Sequence, residues 1–227
     1  MANITGNCFD EIYEKIVAQI MRDPDHVCSP RGQKIKESIA FTFTLNNPRA
    51  RLLTNSARAT NYGFGVGEFL WYWNAAEDLE TMVYYNKRMK DFSDDGLTLN
   101  SAYGYRMRGE DVVNAQPEEG MSQWDVCVQT LLQDSESRRA ILHINKPEDQ
   151  VKAVIIGSRD VPCTLSLQFF IRDGKLDLHA HMRSNDVVWG LTYDLFSFTL
   201  FQECMLLELR GHEKFVDLKL GKYHHTA

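Results

Sequence analysis

No stretch of this 227-residue chain approaches the roughly 20 consecutive apolar residues that cross a bilayer, and its N-terminus lacks the basic-then-apolar pattern of a secretion signal. A soluble, cytoplasmic protein with no membrane partner is the expectation. Cysteines at CxxC spacing are also missing. Cys8, Cys28, Cys127, Cys163 and Cys204 form an odd, scattered set, which argues against a disulfide framework or a structural metal site and for a reducing compartment. There is no basic excess: 25 Lys and Arg against 31 Asp and Glu give a net charge of −6 and a pI near 5.6. A duplex-binding protein needs the opposite balance to release counterions, so no nucleic-acid partner is expected. Internal repeats, low-complexity tracts and linkers are absent as well. With 44% hydrophobic residues, the chain has enough apolar mass for one core, and residues 1–227 read as a single domain.

Helical spacing of Phe9, Ile12, Ile16 and Ile20 predicts a helix over residues 7–22, ending before Asp23-Pro24. Alternation over Ile35 to Leu45 predicts a strand that stops at Asn46-Asn47-Pro48, with Ser29-Pro30-Arg31-Gly32 as the loop before it. An almost wholly apolar run, Phe69-Leu70-Trp71-Tyr72-Trp73, follows Glu68. That composition places the glutamate in the interior or facing a cleft. Residues 84–120 are polar and irregular. A helix over about 122–133 precedes a short strand, Ala140 to Ile144. The clearest local pattern is a hairpin: Thr164 to Arg172, a turn at Asp173-Gly174, then Lys175 to Arg183 with Leu176, Leu178, Ala180 and Met182 on one face. A long apolar helix is expected from about Asp194 to Leu209. A sheet with segregated helices is an α+β class.

Chemistry concentrates around that hairpin. Asp160-Val161-Pro162-Cys163-Thr164 places a cysteine behind a proline at the mouth of the first strand, and Met182-Arg183-Ser184-Asn185-Asp186 puts an Arg-Ser-x-Asp cluster at the end of the second. A thiol and an anion site are therefore neighbours. Cys163 taken alone reads first as a buried structural cysteine, a small packed hydrophobe. Its company favours chemistry, because a reactive thiolate requires positive potential. Arg138 and Arg139 either cap a helix C-terminus or offer forked donors suited to phosphate. Glu68 in its apolar run is either paired structurally or a carboxyl raised by burial into the range useful for proton transfer.

In order and spacing, these motifs resemble the thymidylate synthase family, across about residues 10–223. Within it, Met-Arg-Ser-Asn-Asp-Val-Val-x-Gly, and Cys163-Thr164 where synthases carry Cys-His, look most like the cytidylate and deoxycytidylate 5-hydroxymethylases. The resemblance implies an α+β domain with a large mixed β-sheet, paired sheet to sheet in a homodimer. It implies that Cys163 attacks C6 of a pyrimidine nucleoside monophosphate (CMP or dCMP), that Glu68 organises water and proton transfer, and that Tyr103 of Tyr-Gly stands in the site. Arg183 and Ser184 would hold the phosphate, joined by Arg138 and Arg139 from the partner subunit. Arg31 matches the family's first phosphate arginine only with a one-residue shift, and reads as ligand or ordinary loop residue.

Asp194 stands where synthases carry the asparagine that reads uracil. An aspartate there can accept from the amino group of cytosine, and it can also serve as the N-cap of the following helix. The one-carbon donor implied is 5,10-methylenetetrahydrofolate, with Asp186, Trp189, Gly190 and Tyr193 on its side of the site. Thr164 and Asp194 together point to water completing the product. Rival readings are a uracil-nucleotide C5-methylase of the same fold and a non-catalytic nucleotide-binding relative.

The family tryptophan before Tyr-Gly has no counterpart around Tyr85 to Met89. The family's sugar-binding segment is expected where this chain reaches Ala227, and reads as missing. His179-x-His181 has spacing that can hold a metal, but its place in the hairpin favours solvated or supporting histidines; His224-His225 match no motif.

Overall fold

In a computed structural model, residues 3–110 and 120–227 are described, so part of the irregular 84–120 stretch lies outside the described residues. From the N-terminus, β1 (Asn3–Gly6) leads into α1 (Phe9–Arg22), followed by β2 (His26–Cys28), β3 (Ile35–Glu37) and β4 (Thr42–Leu45). Then come α2 (Tyr62–Trp73), α3 (Leu79–Tyr85), a 3-10 turn at Lys87–Asp91 and a π-turn at Tyr105–Gly109. α4 (Gln123–Gln133), β5 (Ile141–His143) and α5 (Pro147–Ile155) precede the hairpin of β6 (Thr164–Arg172) and β7 (Lys175–Met182). The chain closes with α6 (Leu191–Arg210) and β8 (Lys219–Thr226).

Six strands form one mixed sheet in the order β1-β4-β8-β7-β6-β5, and β2 with β3 makes a separate two-stranded ribbon. β1 runs parallel to β4 and β7 parallel to β8, while the other pairs are antiparallel. This is the expected α+β class. Asp173 and Gly174 both take positive φ, 51° and 66°, the turn that matches the twist of a two-residue hairpin. The expected faces follow: Leu176, Leu178, Ala180 and Met182 are buried, whereas Asp177, His179 and His181 lie on the polar face.

α6 packs its long apolar surface on β7 and β8, with Leu195, Phe198, Phe201 and Met205 fully buried. Buried Gln202 donates through Nε2 to Leu176 O (2.8 Å) and Lys222 O (3.0 Å), bridging the two strands where their register slips. Gly221 is required there, since a Cβ would stand 1.9 Å from Asp177 Oδ1.

Two expectations need correction. Ile35 to Leu45 is two strands in different sheets, because Ala40 adopts φ 53° and turns the chain between them. The last long helix begins at Leu191, with Gly190 as its N-cap, so Asp194 lies inside the first turn and is not the cap. α5 and β8 were not read from the sequence.

Behind the sheet edge, the buried Arg106 guanidinium makes two bonds to the Asp149 carboxylate (2.6 and 2.8 Å) and also donates to Ile144 O and Asn100 O. Burial is the largest influence on Asp149 and would raise it, but the Arg106 hydrogen bonds and charge, with the Lys146 amide and Asn100, together hold the carboxyl below its ordinary value. This pair anchors the segment that enters the site at Asn100.

Candidate active site

Two loops and two helices converge at the open end of β6 and β7. The stretch Ser101–Tyr103 is tied to the cysteine loop by Asp160, which accepts from Ser101 N (3.0 Å) and from the Ser101 hydroxyl. Thr164 N reaches the Tyr103 hydroxyl at 3.4 Å. Across this seam, Arg183 N donates to Cys163 O (2.9 Å), and the Arg183 side chain donates to Pro162 O and Val161 O at 2.9 Å each. Its Nη2 then lies 3.7 Å from Cys163 Sγ. The arginine thus staples the cysteine loop to the end of β7 and places a fixed positive charge beside the sulfur, an arrangement that favours negative charge there.

α2 supplies the opposite wall. Tyr72 stacks on Tyr103 with ring centroids 5.3 Å apart and nearly parallel planes. The approach is possible because residue 104 is glycine: a Cβ there would lie 2.0 Å from Tyr72 O. One turn earlier on α2, Glu68 points into the same cavity. Burial first, and then the nearby Asp194 carboxyl, push Glu68 up to about 8, against a hydrogen bond from Tyr72. Asp194 is pushed up to about 7 by burial, against its bond from Asn185. Both carboxyls open onto the cavity, not bulk water, so two acids within each other's field cannot both ionise freely near neutrality. Burial also holds the Tyr103 hydroxyl far above its ordinary value, with Asp194 and Cys163 adding to the shift.

The cavity so enclosed measures about 340 Å³. Of the residues singled out from sequence, Cys163, Glu68, Tyr103, Arg183, Ser184, Asp194, Asp186, Trp189, Gly190 and Tyr193 all line it. Asp186 Oδ1 accepts from Val188 N and Trp189 N, which shapes the loop carrying Trp189, and Arg88 stacks over the Trp189 ring at 4.0 Å. The Tyr193 hydroxyl is engaged by Asn61 N at 3.2 Å.

Four residues stand apart. Arg138 and Arg139 are exposed before β5, outside the cavity of this chain. Arg31 sits in the 3-10 turn Pro30–Gly32, and its side chain lies outside the described structure. Thr164 is fully buried behind the wall and does not line the cavity.

Sequence reasoning overlooked Arg159, Asp160 and Asn185 on the wall, as well as Met89 and Phe92 from the irregular stretch where no tryptophan could be placed. For Asp160 and Asn185 a signal existed, since both fall inside the motifs quoted around Cys163 and Arg183. The histidines of β7 and β8 make no metal site among the described residues: His179 bonds Thr226 Oγ1 and His224 bonds Thr44 Oγ1.

Comparison with known proteins bears on this geometry. The family model described as Thymidylate synthase matches residues 9–226. The deoxyuridylate hydroxymethyltransferase of Bacillus phage SP01 is 31% identical over 227 residues, which is 99% of this chain and 57% of that protein. The deoxycytidylate 5-hydroxymethyltransferase of Enterobacteria phage T4 is 36% identical over 175 residues, 77% of this chain and 65% of that protein. The chain therefore spans between half and two-thirds of these relatives' lengths. The structure of thermostable thymidylate synthase A from Bacillus subtilis superposes with a TM-score of 0.71 at 20% identity, covering 96% of this chain and 77% of that one, a likeness of fold.

Proposed function

Since the chain belongs to the thymidylate synthase family, we propose that it hydroxymethylates C5 of a cytosine nucleotide, CMP or dCMP, through a covalent adduct at Cys163. The observation that carries this reading is the cavity in which Cys163, with Arg183 Nη2 at 3.7 Å, stands together with two raised carboxyls, Glu68 and Asp194. The hydroxymethyl outcome is supported by the names of the phage relatives. It draws nothing from Thr164, which lies behind the wall.

Cys163 Sγ adds to C6, forming the S–C6 bond and moving the ring's electron pair to C5. Arg183 and Ser184, exposed at the rim, hold the phosphate so that C6 lies over the sulfur. Asp194 accepts from the exocyclic amino group and orients the base. Glu68, protonated near neutrality in the free protein, holds a water and passes protons at the base. The residues present suit a folate donor: the wall offers the apolar faces of Trp189, Met89 and Phe92 to a flat ring, with the Asp186 carboxylate among them. When bound, 5,10-methylenetetrahydrofolate supplies the one-carbon unit. Loss of the C5 proton as the spent donor departs leaves an exocyclic methylene on C5; water then adds to that methylene, and the electron pair returned to C5 re-forms the C5–C6 double bond as Sγ leaves C6.

Arg138 and Arg139 complete the phosphate site from a second subunit in this reading, because they are exposed and remote from their own chain's cavity. A second reading, a uracil nucleotide as substrate, is supported by the SP01 relative, aligned over nearly the whole chain.

Release of tritium from C5 of labelled cytidylate or deoxycytidylate in the presence of the folate donor tests the proposal. Release that disappears in Cys163→Ala is expected. No release from either cytosine nucleotide would contradict it.

A further inference from the structure

Asn185 carries no role in the chemistry described above, yet its amide is placed with care. It follows β7 in the loop that leads to α6, and its Nδ2 donates to Asp194 Oδ2 at 2.6 Å. Its Oδ1 is buried without a hydrogen-bond partner, and the residue lines the cavity beside Asp194. Room for the pair comes from Gly190, where a Cβ would stand 3.1 Å from Asp194 Oδ2 and 3.2 Å from Asn185 Nδ2. Three residues of one ten-residue segment thus fit one another, and they leave one buried acceptor unsatisfied.

We propose that Asn185 is a base-specificity residue, whose Oδ1 accepts a hydrogen bond from the exocyclic amino group of the bound base while its Nδ2 fixes the Asp194 carboxyl. The inference rests on the cytosine reading and sharpens it. A primary amide has one donor end and one acceptor end in rigid opposition. An oxygen of Asp194 claims the donor end, so the acceptor end is the one left without a partner. The 4-amino group of cytosine brings two hydrogens, one for Asp194 and one for Asn185. Uracil brings a carbonyl oxygen to the same place, where it meets an acceptor. Turning the amide over to greet that oxygen would set Asn185 Oδ1 against the Asp194 carboxyl. The selection therefore resides in the pair and not in Asp194 alone.

The test compares kcat/KM for dCMP and dUMP, with the folate donor, in the wild type, Asn185→Ala and Gly190→Ala. Removing the amide is expected to lower the cytosine-to-uracil ratio roughly ten- to a hundredfold, the cost of a lost hydrogen bond in a desolvated site. Gly190→Ala presses on the same two groups from the other side and should shift the ratio in the same direction, which keeps the proposal testable if Asn185→Ala folds poorly. A wild type that prefers cytosine, with that preference unchanged in both variants, would overturn the inference and leave the cytosine reading standing. Equal losses on both substrates would also overturn it, by showing a purely structural role. A wild type that acts on uracil alone would remove the reading beneath it.

Discussion

At the scale of single residues, the site stores destabilisation in its carboxyls. Glu68 is held at about 8 by burial and by Asp194, against an ordinary value of 4.5. A carboxyl raised in the folded state stabilises the fold fully below its unfolded pKa, and that contribution is lost as pH rises through the folded value. Between 4.5 and about 8, the ligand-free protein therefore loses stability through Glu68, and Asp194 acts in the same direction from 3.8 to about 7. Glu68→Gln should accordingly melt at a higher temperature than the wild type near pH 8, with the gap closing as pH falls toward 4.5. The same variant should lose roughly a hundredfold or more in kcat if the carboxyl moves protons. Thermal denaturation across that range, beside initial rates, checks both. A melting difference independent of pH would show that Glu68 is not held protonated.

Several of these residues were legible in the sequence because each breaks a local rule: a glutamate in an apolar run, a cysteine behind a proline, an arginine at a strand end. Asn185 lies inside the Arg-Ser-x-Asp motif but at its variable position, and an asparagine in a loop breaks no such rule. What sets it apart is an unsatisfied oxygen, and only the folded chain reveals that.

At the scale of elements, the contact of α2 with the Ser101–Gly104 segment sets the distance between Glu68 and Tyr103. The two elements touch backbone to backbone at Gly104, where a Cβ would collide with Tyr72 O at 2.0 Å and Tyr72 Cα at 2.3 Å. Backbone cannot swing aside as a side chain can. Gly104→Ala should cost about 1–3 kcal/mol or more and part the Tyr72 and Tyr103 rings. Chemical denaturation and kcat/KM read the two effects, and both should move. Unchanged activity in a destabilised variant would separate this contact from the site.

The β6–β7 hairpin announced itself through alternation and its Asp-Gly turn, and it carries both halves of the thiol and anion cluster. The strand pattern from Ile35 to Leu45 misled because the break at Ala40 uses neither glycine nor proline; the backbone there is bent by tertiary pairing of β3 with β2. β8 escaped notice for a related reason. Its inward residues Gly221, Tyr223 and His225 are not the aliphatic set that marks a strand, and His225 is instead kept neutral by burial against Phe43 and Tyr223.

At the scale of the whole molecule, the sheet has one face under α6 and another that bears Asp177, His179, His181 and His224. In the proposed dimer, pairing of that polar face with its copy would bring the two exposed arginines, placed away from their own cavity, to the partner's site. Mixing Cys163→Ala with an Arg138→Ala, Arg139→Ala double variant should then restore activity that neither has alone, because one site of the hybrid keeps both the thiol and the arginines. Sedimentation of the wild type should give a dimer. A monomer with full activity would confine the phosphate site to Arg183 and Ser184.

The central claim is that this cavity converts a cytosine nucleotide to its 5-hydroxymethyl derivative through Cys163. Mass spectrometry of the nucleotide products formed from CMP, dCMP and dUMP with 5,10-methylenetetrahydrofolate tests it most directly. A hydroxymethyl product from CMP or dCMP, lost in Cys163→Ala, is the outcome expected; a methyl product from the uracil nucleotide, with both cytosine nucleotides unchanged, would contradict it.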